Sequence, residues 1–226
     1  MADAMTLWPA PPITRSLPPG EVHLWRIPLT TLPEEISRLH TCLAADELQR
    51  AGRLLDRRKA QDFIVGRGRL RQILASYLHV NPAAIALTCG KYGKPALTGN
   101  ALQFNLSHSG AWALLALGAD AAIGVDVEKI EPALDYSALA VRFFTAAENA
   151  CLLAAPMAQR RRRFYRLWTR KEALLKGQGR GFSVAAEQEA GDWSLQSFWL
   201  APGYVGTVAC AGEIQSLRRW QVTAEK

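Results

Sequence analysis

The 226-residue chain has 49% hydrophobic and 21% charged residues, values near the globular average that argue against disordered, collagen-like and disulfide-rich classes. No apolar run reaches the ~18 residues of a membrane-spanning helix, and no signal peptide is evident. We therefore expect a cytoplasmic protein with no membrane partner. Its four cysteines are widely spaced, which predicts reduced and mostly packed thiols.

The net charge of +7 is concentrated in two segments. Residues 50–71 carry eight basic and two acidic side chains, and residues 158–180 carry nine basic and one acidic side chain. Such segments indicate an anionic partner, and charge alone leaves nucleic acid, a phosphorylated small molecule and an acidic protein open. The arginine run 160–163 is equally compatible with a solvated helix face.

The first half of the chain predicts an arm, a strand and helices. Five of the twelve prolines fall in the first nineteen residues, which predicts an extended, irregular arm. Residues 22–27 alternate as a strand does, and apolar residues between 32 and 78 recur at three- and four-residue steps typical of helices. Glycines and a proline between residues 89 and 97 predict a loop.

The second half predicts strands, then helices, then strands again. Residues 112–117 and 122–128 are predicted to form a hairpin across a turn at 118–120, next to a further strand at 102–106. Helices are expected at 145–153, where Thr145 and Glu148 form a capping box, and at 159–176. Strand-like runs follow at 194–200 and 204–210. This order predicts an α+β chain of two similar halves that meet near residues 118–122.

The strand at 123–128 places two carboxylates on one face. Because side chains alternate along a strand, Asp126 and Glu128 point one way and the valines beside them the other. Their Cα atoms are ~6.5–7 Å apart by strand rise, so both carboxylates could bind one hard cation such as Mg²⁺. A surface strand with a polar face would have the same pattern, and the segment alone leaves both interpretations open.

A basic helix carries a third carboxylate. Trp168, Glu172 and Lys176 follow one another at four-residue steps on one helix face, and Glu172 is predicted to pair with Lys176. The glycines at 177, 179 and 181 end the helix and allow a backbone or a ligand to approach closely.

A short polar strand precedes the two halves' junction. Asn105, Ser107 and Ser109 share one strand face, and His108 lies on the other. Since Ser107 and His108 point apart, a nucleophile–base pair is disfavoured, and the G-x-S-x-G turn of α/β-hydrolases is absent. His108 is therefore either a structural histidine or part of a polar rim for phosphate. The lysine-bearing loop 91–95 is either a phosphate contact or simply solvated.

Together these groups are suited to phosphoryl chemistry, in which cations neutralise phosphate oxygens while a hydroxyl is aligned. Neither a Walker loop nor a kinase glycine loop is present, so ordinary ATP chemistry is not indicated. In this order and spacing the motifs resemble the 4′-phosphopantetheinyl transferases of the surfactin-synthetase-activating (Sfp) type. The matching segments are KYGKP (91–95), FNLSHS (104–109), IGVDVE (123–128) and LWTRKEALLK (167–176) with its glycines, and a looser match at 63–74.

The resemblance implies a transferase that moves the phosphopantetheine arm of coenzyme A to a serine hydroxyl of an apo acyl or peptidyl carrier protein. Adenosine 3′,5′-bisphosphate is the product released. By position, the resemblance implies that Asp126, Glu128 and Glu172 bind Mg²⁺. Glu172 would also deprotonate the serine, directly or through water.

The same resemblance implies the contacts to coenzyme A. His108 and Lys176 would be catalytic residues that hold pyrophosphate oxygens. The 3′-phosphate and nucleotide would be held by Lys94, Ser107 and one or more of Arg67 and Arg71. The helix that carries these arginines is loosely patterned, so Arg58 also remains open.

The family's fold, two similar α+β halves related by a pseudo-twofold axis with the active site between them, implies a division of this chain. Residues 1–20 would be the proline-rich arm, 21–119 the half that binds the nucleotide, and 120–226 the half with the Mg²⁺ site and catalytic helix. Because both halves are present, the resemblance implies a monomer. The alternative function is a basic nucleic-acid-binding protein, although no helix-turn-helix, zinc-finger or ribonucleoprotein motif is present.

Overall fold

A computed structural model describes residues 8–13, 15–90, 93–99, 102–180 and 191–222 of the chain. Its elements follow the predicted α+β order of a strand, helices, strands, helices and strands again. The strands are β1 (Glu21–Pro28), β2 (Leu87–Cys89), β3 (Pro95–Leu97), β4 (Gln103–Ser109), β5 (Trp112–Gly118), β6 (Ile123–Lys129), β7 (Trp193–Ala201), β8 (Tyr204–Ala211) and β9 (Ser216–Gln221). The helices are α1 (Pro33–His40), α2 (Ala45–Gly52), α3 (Arg57–Leu78), α4 (Tyr136–Phe143), α5 (Ala146–Leu153) and α6 (Met157–Gln178).

The first sheet has the strand order β4-β5-β1-β9 and packs against α3. Strand β5 pairs antiparallel with both β4 and β1, whereas β9 runs parallel to β1. Trp25 and Leu115 on one face of the sheet pack with Leu70 and Leu74 of α3. Five of the eight residues of β1 and six of the seven of β5 are buried, because the sheet is covered on both faces.

The second sheet has the order β6-β8-β7, with both pairs antiparallel, and lies between the first sheet and α6. Val125 and Val208 pack with Leu24 and Leu114 of the first sheet. The four layers are therefore α3, first sheet, second sheet and α6. Each half combines one sheet with one 22-residue helix, which agrees with the prediction of two similar halves.

Two pairings differ from the sequence predictions. The predicted hairpin of residues 112–117 and 122–128 is wrong, because β5 and β6 lie in different sheets and the link between them crosses from one sheet to the other. The hairpin instead joins β4 to β5, with Gly110 at a positive φ of 54°. Strand β9 lies in the first sheet, although the predicted division places its residues in the second half.

The structure confirms most of the other local predictions. The helical region 32–78 is divided into three helices, α1, α2 and α3. The last of them begins where the side chain of Asp56 accepts hydrogen bonds from the amides of Arg58 and Lys59. The described part of the arm has no helix or strand, as predicted, and its Trp8 is buried against Phe198.

All four cysteines are free, but Cys89 and Cys151 are exposed, so the expectation of mostly packed thiols is wrong for these two. No described helix is both long enough and apolar enough to cross a membrane.

Helix α6 lies against β6 with almost no space between their backbones. A Cβ atom on Gly124 would overlap the carbonyl oxygen of Ala173 and the amide nitrogen of Gly177. A Cβ atom on Gly177 would overlap the ring of Trp193. Two glycines therefore permit this approach, and it brings the last two turns of α6 next to the carboxylate side of β6.

We predict that Gly124→Ala lowers the free energy of unfolding by about 3 kcal/mol, the upper part of the range for overpacking, because the overlapped atoms belong to backbone. Urea unfolding would measure this loss. Gly52→Ala is the control, since a Cβ there meets nothing within 4 Å, and its stability should be unchanged or slightly raised. A Gly124→Ala protein as stable as the parent would contradict the close contact.

Candidate active site

The two sheets meet at strands β4 and β6, which are joined by side chains. Asn105 accepts a hydrogen bond from the amide of Val125 at 2.8 Å. Ser107 donates to Asp126 Oδ1 at 2.9 Å, and Ser109 donates to Glu128 Oε2 at 2.9 Å. We call the five polar side chains, Asn105, Ser107, Ser109, Asp126 and Glu128, the polar seam. Because the partners are 19 or 20 positions apart along the chain, the two strands run side by side in the same direction.

The seam places Asp126 at the centre of the site. The residue is 2% exposed, and its Oδ1 accepts hydrogen bonds from Ser107 and, at 2.6 Å, from Lys176 Nζ. Its Oδ2 is buried and has no hydrogen-bond partner among the described residues. Buried carboxylate oxygens are nearly always satisfied by a donor or a cation, so this oxygen is available to a ligand that supplies either.

Glu172 and Lys176 reach the site from α6, one helical turn apart. The sequence predicted that Lys176 pairs with Glu172, but its ion pair in the structure is with Asp126. The reason is the backbone contact at Gly124, which brings a buried carboxylate within reach of the ammonium. Burial has the largest effect on Glu172 and raises its pKa. Lys176 is close enough to lower that pKa and Asp126 to raise it, and the net shift is upward.

Burial raises the pKa of all three carboxyl groups in this centre. For Asp126, burial outweighs the opposing effects of Lys176 and Ser107. For Glu128, burial and then the charge of Asp126 raise the pKa to about 7. Three carboxylates therefore share one ammonium group, and bringing a further cation to them would favour their ionised forms.

The donor set fits a hard divalent cation, because it offers carboxylate oxygens and includes the unpartnered Oδ2 of Asp126. As they stand, no three acidic, histidine or cysteine side chains of the described residues form a ready-made metal cluster. The side chains of Glu128 and Glu172 would have to turn towards Asp126 to share an ion. Both are only partly buried, so they have room to do so.

A separate basic cleft lies on the other face of β4. It has a volume of about 180 Å³ and is lined by Arg50, Asp62, Phe63, Arg67, Gly93 and His108, among others. The Asp62 carboxylate there is paired with Arg58. We call it the basic cleft. His108 is exposed there, whereas Ser107 is buried in the polar seam, which confirms that the two side chains point apart. The cleft and the carboxylate centre are thus on opposite sides of one strand.

The structure separates the three arginines that the sequence left open. Arg67 faces the basic cleft. Arg71 is 1% exposed and donates to Glu47 and to the carbonyls of Pro82 and Ile85, so its predicted contact with coenzyme A is not supported. Arg58 is paired with Asp62 on the surface of α3.

Two further predicted contacts have protein partners. Lys94 donates to the carbonyls of Ile123 at 2.9 Å and Gly177 at 3.4 Å, and burial lowers its pKa. It therefore lies where β6 begins and α6 ends. Ser107 is a partner of Asp126 within the seam instead of an open phosphate donor. Lys91, Tyr92 and Gly181, which belong to the predicted motifs, lie outside the described residues.

The arginine run of α6 is largely used within the fold. Arg160 donates to the carbonyls of Leu153 and Ala155, and Arg161 donates to those of Glu131 and Leu134. The guanidinium of Arg162 lies 5.3 Å from the ring centre of Trp199. These contacts reduce the number of arginines in the run that could serve an anionic partner.

The capping box at the start of α5 is confirmed, since Thr145 accepts from the Glu148 amide and Glu148 accepts from the Thr145 amide. Glu148 also pairs with Lys171 of α6 at 2.9 Å.

Sequence reasoning missed the contacts of Arg50, Phe63, Glu47 and Ser109. The first three come together only because α2 packs on α3, and no local pattern announces that contact. Ser109 was assigned to the correct strand face, but its partner lies on a strand of the other sheet.

Beside Glu128 and Ser109, a second cavity of about 260 Å³ is lined by Leu139, Phe164, Trp168 and neighbouring residues.

Comparison with known proteins gives two family matches that follow one another along the chain. A model described as 4′-phosphopantetheinyl transferase, N-terminal, matches residues 30–119, and one described as the 4′-phosphopantetheinyl transferase superfamily matches residues 122–221. The interval between them falls in the link from β5 to β6.

Several characterised relatives are similar to the chain. The 4′-phosphopantetheinyl transferase HetI of Nostoc sp. is 37% identical over 222 residues, which are 91% of this chain and 94% of that protein. Sfp of Bacillus subtilis is 29% identical over 153 residues, 67% of this chain and 66% of that protein. AcpT of Salmonella typhimurium is 42% identical over 91 residues, 40% and 47% of the two chains.

We predict that Lys176→Met lowers the free energy of unfolding by about 2 kcal/mol near neutral pH, because Asp126 remains buried without its cationic partner. Burial already raises the pKa of Asp126, and removing Lys176 raises it further. The folded variant therefore gains stability by protonation, so its deficit should be smaller at about pH 5 than at about pH 8. Urea unfolding at both values would measure this.

Lys171→Met provides the control for that experiment. Its partner Glu148 has a side chain that is 27% exposed, so the carboxylate left behind stays hydrated and the loss should depend little on pH. A Lys176→Met deficit that is equal at both pH values would contradict the assigned role of Asp126.

Proposed function

The chain belongs to the 4′-phosphopantetheinyl transferase superfamily, and we propose that it uses coenzyme A and Mg²⁺ at the site between its two halves. As a member, it is a transferase that moves phosphopantetheine to carrier proteins. The observation that carries the proposal is the buried, unpartnered Oδ2 of Asp126, which lies in a group of three carboxylates behind a basic cleft. A pyrophosphate ester bound near a divalent cation requires this combination.

The carboxylate centre is the proposed metal site. Asp126, Glu128 and Glu172 would hold Mg²⁺, which when bound neutralises charge on the pyrophosphate oxygens. Ser107 and Ser109 hold the first two carboxylates in place by their hydrogen bonds. Such outer contacts orient the ligands of a metal site.

Glu172 is the proposed general base. It lies beside Asp126 and Lys176, and a bound cation would keep it ionised. In that form it would take the proton of the carrier's serine directly or through a water. Lys176 and His108 are the proposed contacts of the pyrophosphate oxygens. Lys176 already lies between Asp126 and Ser107, so it reaches the same centre.

The basic cleft is the proposed site of the nucleotide. Arg67 would contact the 3′-phosphate there, because a guanidinium presents several donors in one plane. Lys94 would join it by exchanging its bonds to the carbonyls of Ile123 and Gly177 for bonds to phosphate. Residues 21–119 would thus bind the nucleotide, while residues 120–226 would carry Asp126, Glu128 and the catalytic helix.

The carrier protein would approach from the cavity beside Glu128. Its apolar and aromatic lining, which includes Leu139, Phe164 and Trp168, suits an apolar surface of a partner, while the exposed Arg163 and Arg166 suit an acidic one. We further propose that the enzyme acts as a monomer, since β4 and β6 of one chain supply both sides of the site. Nucleic-acid binding is not favoured, because much of the arginine run binds the protein's own carbonyls and rings.

A transfer assay tests the proposal. With coenzyme A and Mg²⁺, the protein should add the mass of one phosphopantetheinyl group to an apo carrier protein, as measured by mass spectrometry. A chelator should abolish the addition. Asp126→Asn should slow it about a hundredfold or more, because the variant loses a charged oxygen ligand.

Glu213→Gln serves as the matched control, since Glu213 is exposed and is not among the proposed site residues. Its rate should equal that of the parent. Transfer at the parental rate by Asp126→Asn would overturn the metal assignment. If the folded parent modified no carrier in a panel from fatty-acid, polyketide and peptide synthesis, the function itself would be contradicted.

A further inference from the structure

Helix α2 contributes a buried carboxylate that the proposed chemistry does not use. Glu47 is 7% exposed, and its Oε2 accepts hydrogen bonds from the backbone amide of Ala44 at 2.9 Å and from Arg71 Nε at 2.6 Å. Its other oxygen, Oε1, lies 3.4 Å from Arg67 Nε. One carboxylate therefore links two arginines that are one helical turn apart on α3.

The two arginines differ in what holds them. Arg71 is fixed on the far side as well, by the carbonyls of Pro82 and Ile85, so it cannot move without breaking several buried bonds. Glu47 is consequently held in place by Arg71 and by the amide of Ala44. Its contact with Arg67 is then a fixed support against which the second guanidinium rests.

Arg67 extends from this support into the basic cleft. The contact with Glu47 is made at Nε, which leaves N–H groups on the other edges of the guanidinium available to a ligand in the cleft. The group also lies 5.8 Å from the ring centre of Phe63, over which Arg50 lies at 5.1 Å. Burial lowers the pKa of Arg67, whereas Glu47 raises it and Arg50 lowers it, so Glu47 offsets the cost of holding this cation beside a second one.

We propose that Glu47 is a positioning residue, which orients Arg67 so that the enzyme distinguishes a coenzyme with a 3′-phosphate from one without it. The inference rests on the proposed function, because it takes Arg67 to be the contact of that phosphate. A misplaced guanidinium would lose the phosphate but would leave the pyrophosphate and the carboxylate centre untouched.

The test compares coenzyme A with 3′-dephospho-coenzyme A in the transfer assay with the full-length enzyme. Glu47→Asp keeps the negative charge but shortens the side chain by one methylene, so it withdraws the support without changing the net charge. We expect the KM for coenzyme A to rise about tenfold, a loss typical of modest misplacement. The kcat and the KM for dephospho-coenzyme A should remain unchanged.

Glu35→Asp is the matched control. Glu35 is a similarly buried carboxylate, 8% exposed, and pairs with another arginine of α3, Arg69, at 2.9 Å. It lies outside the set of residues that line the basic cleft. The variant should lose stability to a similar extent but should keep the parental ratio of the KM for coenzyme A to the KM for dephospho-coenzyme A. A change of that ratio in the control would show that a general loosening of α3 is enough to alter it.

Arg67→Gln completes the cycle. It should abolish the preference for coenzyme A, and adding Glu47→Asp to it should change nothing further.

If Arg67→Gln alters the preference but Glu47→Asp does not, the positioning role is overturned. It is also overturned if Glu47→Asp still lowers the preference in the Arg67→Gln background, because Glu47 would then act by another route. If Arg67→Gln leaves the preference intact, the phosphate assignment of the proposed function fails instead. Glu47→Gln repeats the comparison should the aspartate variant not fold.

Discussion

The backbone contact between α6 and β6 is the constraint on which the rest of the site depends. Gly124 and Gly177 allow the helix to lie directly on the strand, since a side chain at Gly124 would occupy the space of the helix backbone. Lys176 then reaches Asp126 at 2.6 Å, and Glu172 lies one turn away on the same face. A wider spacing between helix and strand would separate the helix residues from the strand carboxylates, and neither set alone forms the centre.

The polar seam joins this second half to the first. Each contact pairs a small polar side chain of β4 with a strand of the other sheet, so the position of Asp126 depends on both halves of the chain. The arrangement carries a cost, because it buries ionisable groups and leaves one carboxylate oxygen without a partner. Such local destabilisation is common where a site is built for a ligand that supplies the missing interaction.

Sequence reasoning predicted the features that depend on local periodicity. Alternation along 123–128 gave the correct face for Asp126 and Glu128, and the same rule separated Ser107 from His108. The predicted pair of Glu172 and Lys176 was wrong because helical spacing describes only neighbours within the helix. The hairpin prediction failed for a related reason, since a turn between two strands does not reveal that they belong to different sheets.

The choice among arginines lay beyond local pattern for a physical reason. Arg67 and Arg71 are four residues apart on one helix and are equally basic. Arg71 is nevertheless buried against the carbonyls that follow α3, whereas Arg67 borders the basic cleft. Only the packing of α2 and the 3₁₀ turn Pro82–Ala84 against α3 distinguishes them. The motifs that carry the family resemblance therefore predicted which carboxylates lie together better than which arginine borders the cleft.

The most direct test of the central claim is a crystal structure of the enzyme with coenzyme A and Mn²⁺, recorded at a wavelength that gives anomalous scattering from manganese. Mn²⁺ prefers the same oxygen ligands as Mg²⁺. We predict a single anomalous peak at coordination distance from Asp126 Oδ2, shared with Glu128 or Glu172 and with the pyrophosphate of the coenzyme. A peak elsewhere, with Asp126 still bound only to Lys176 and Ser107, would contradict it.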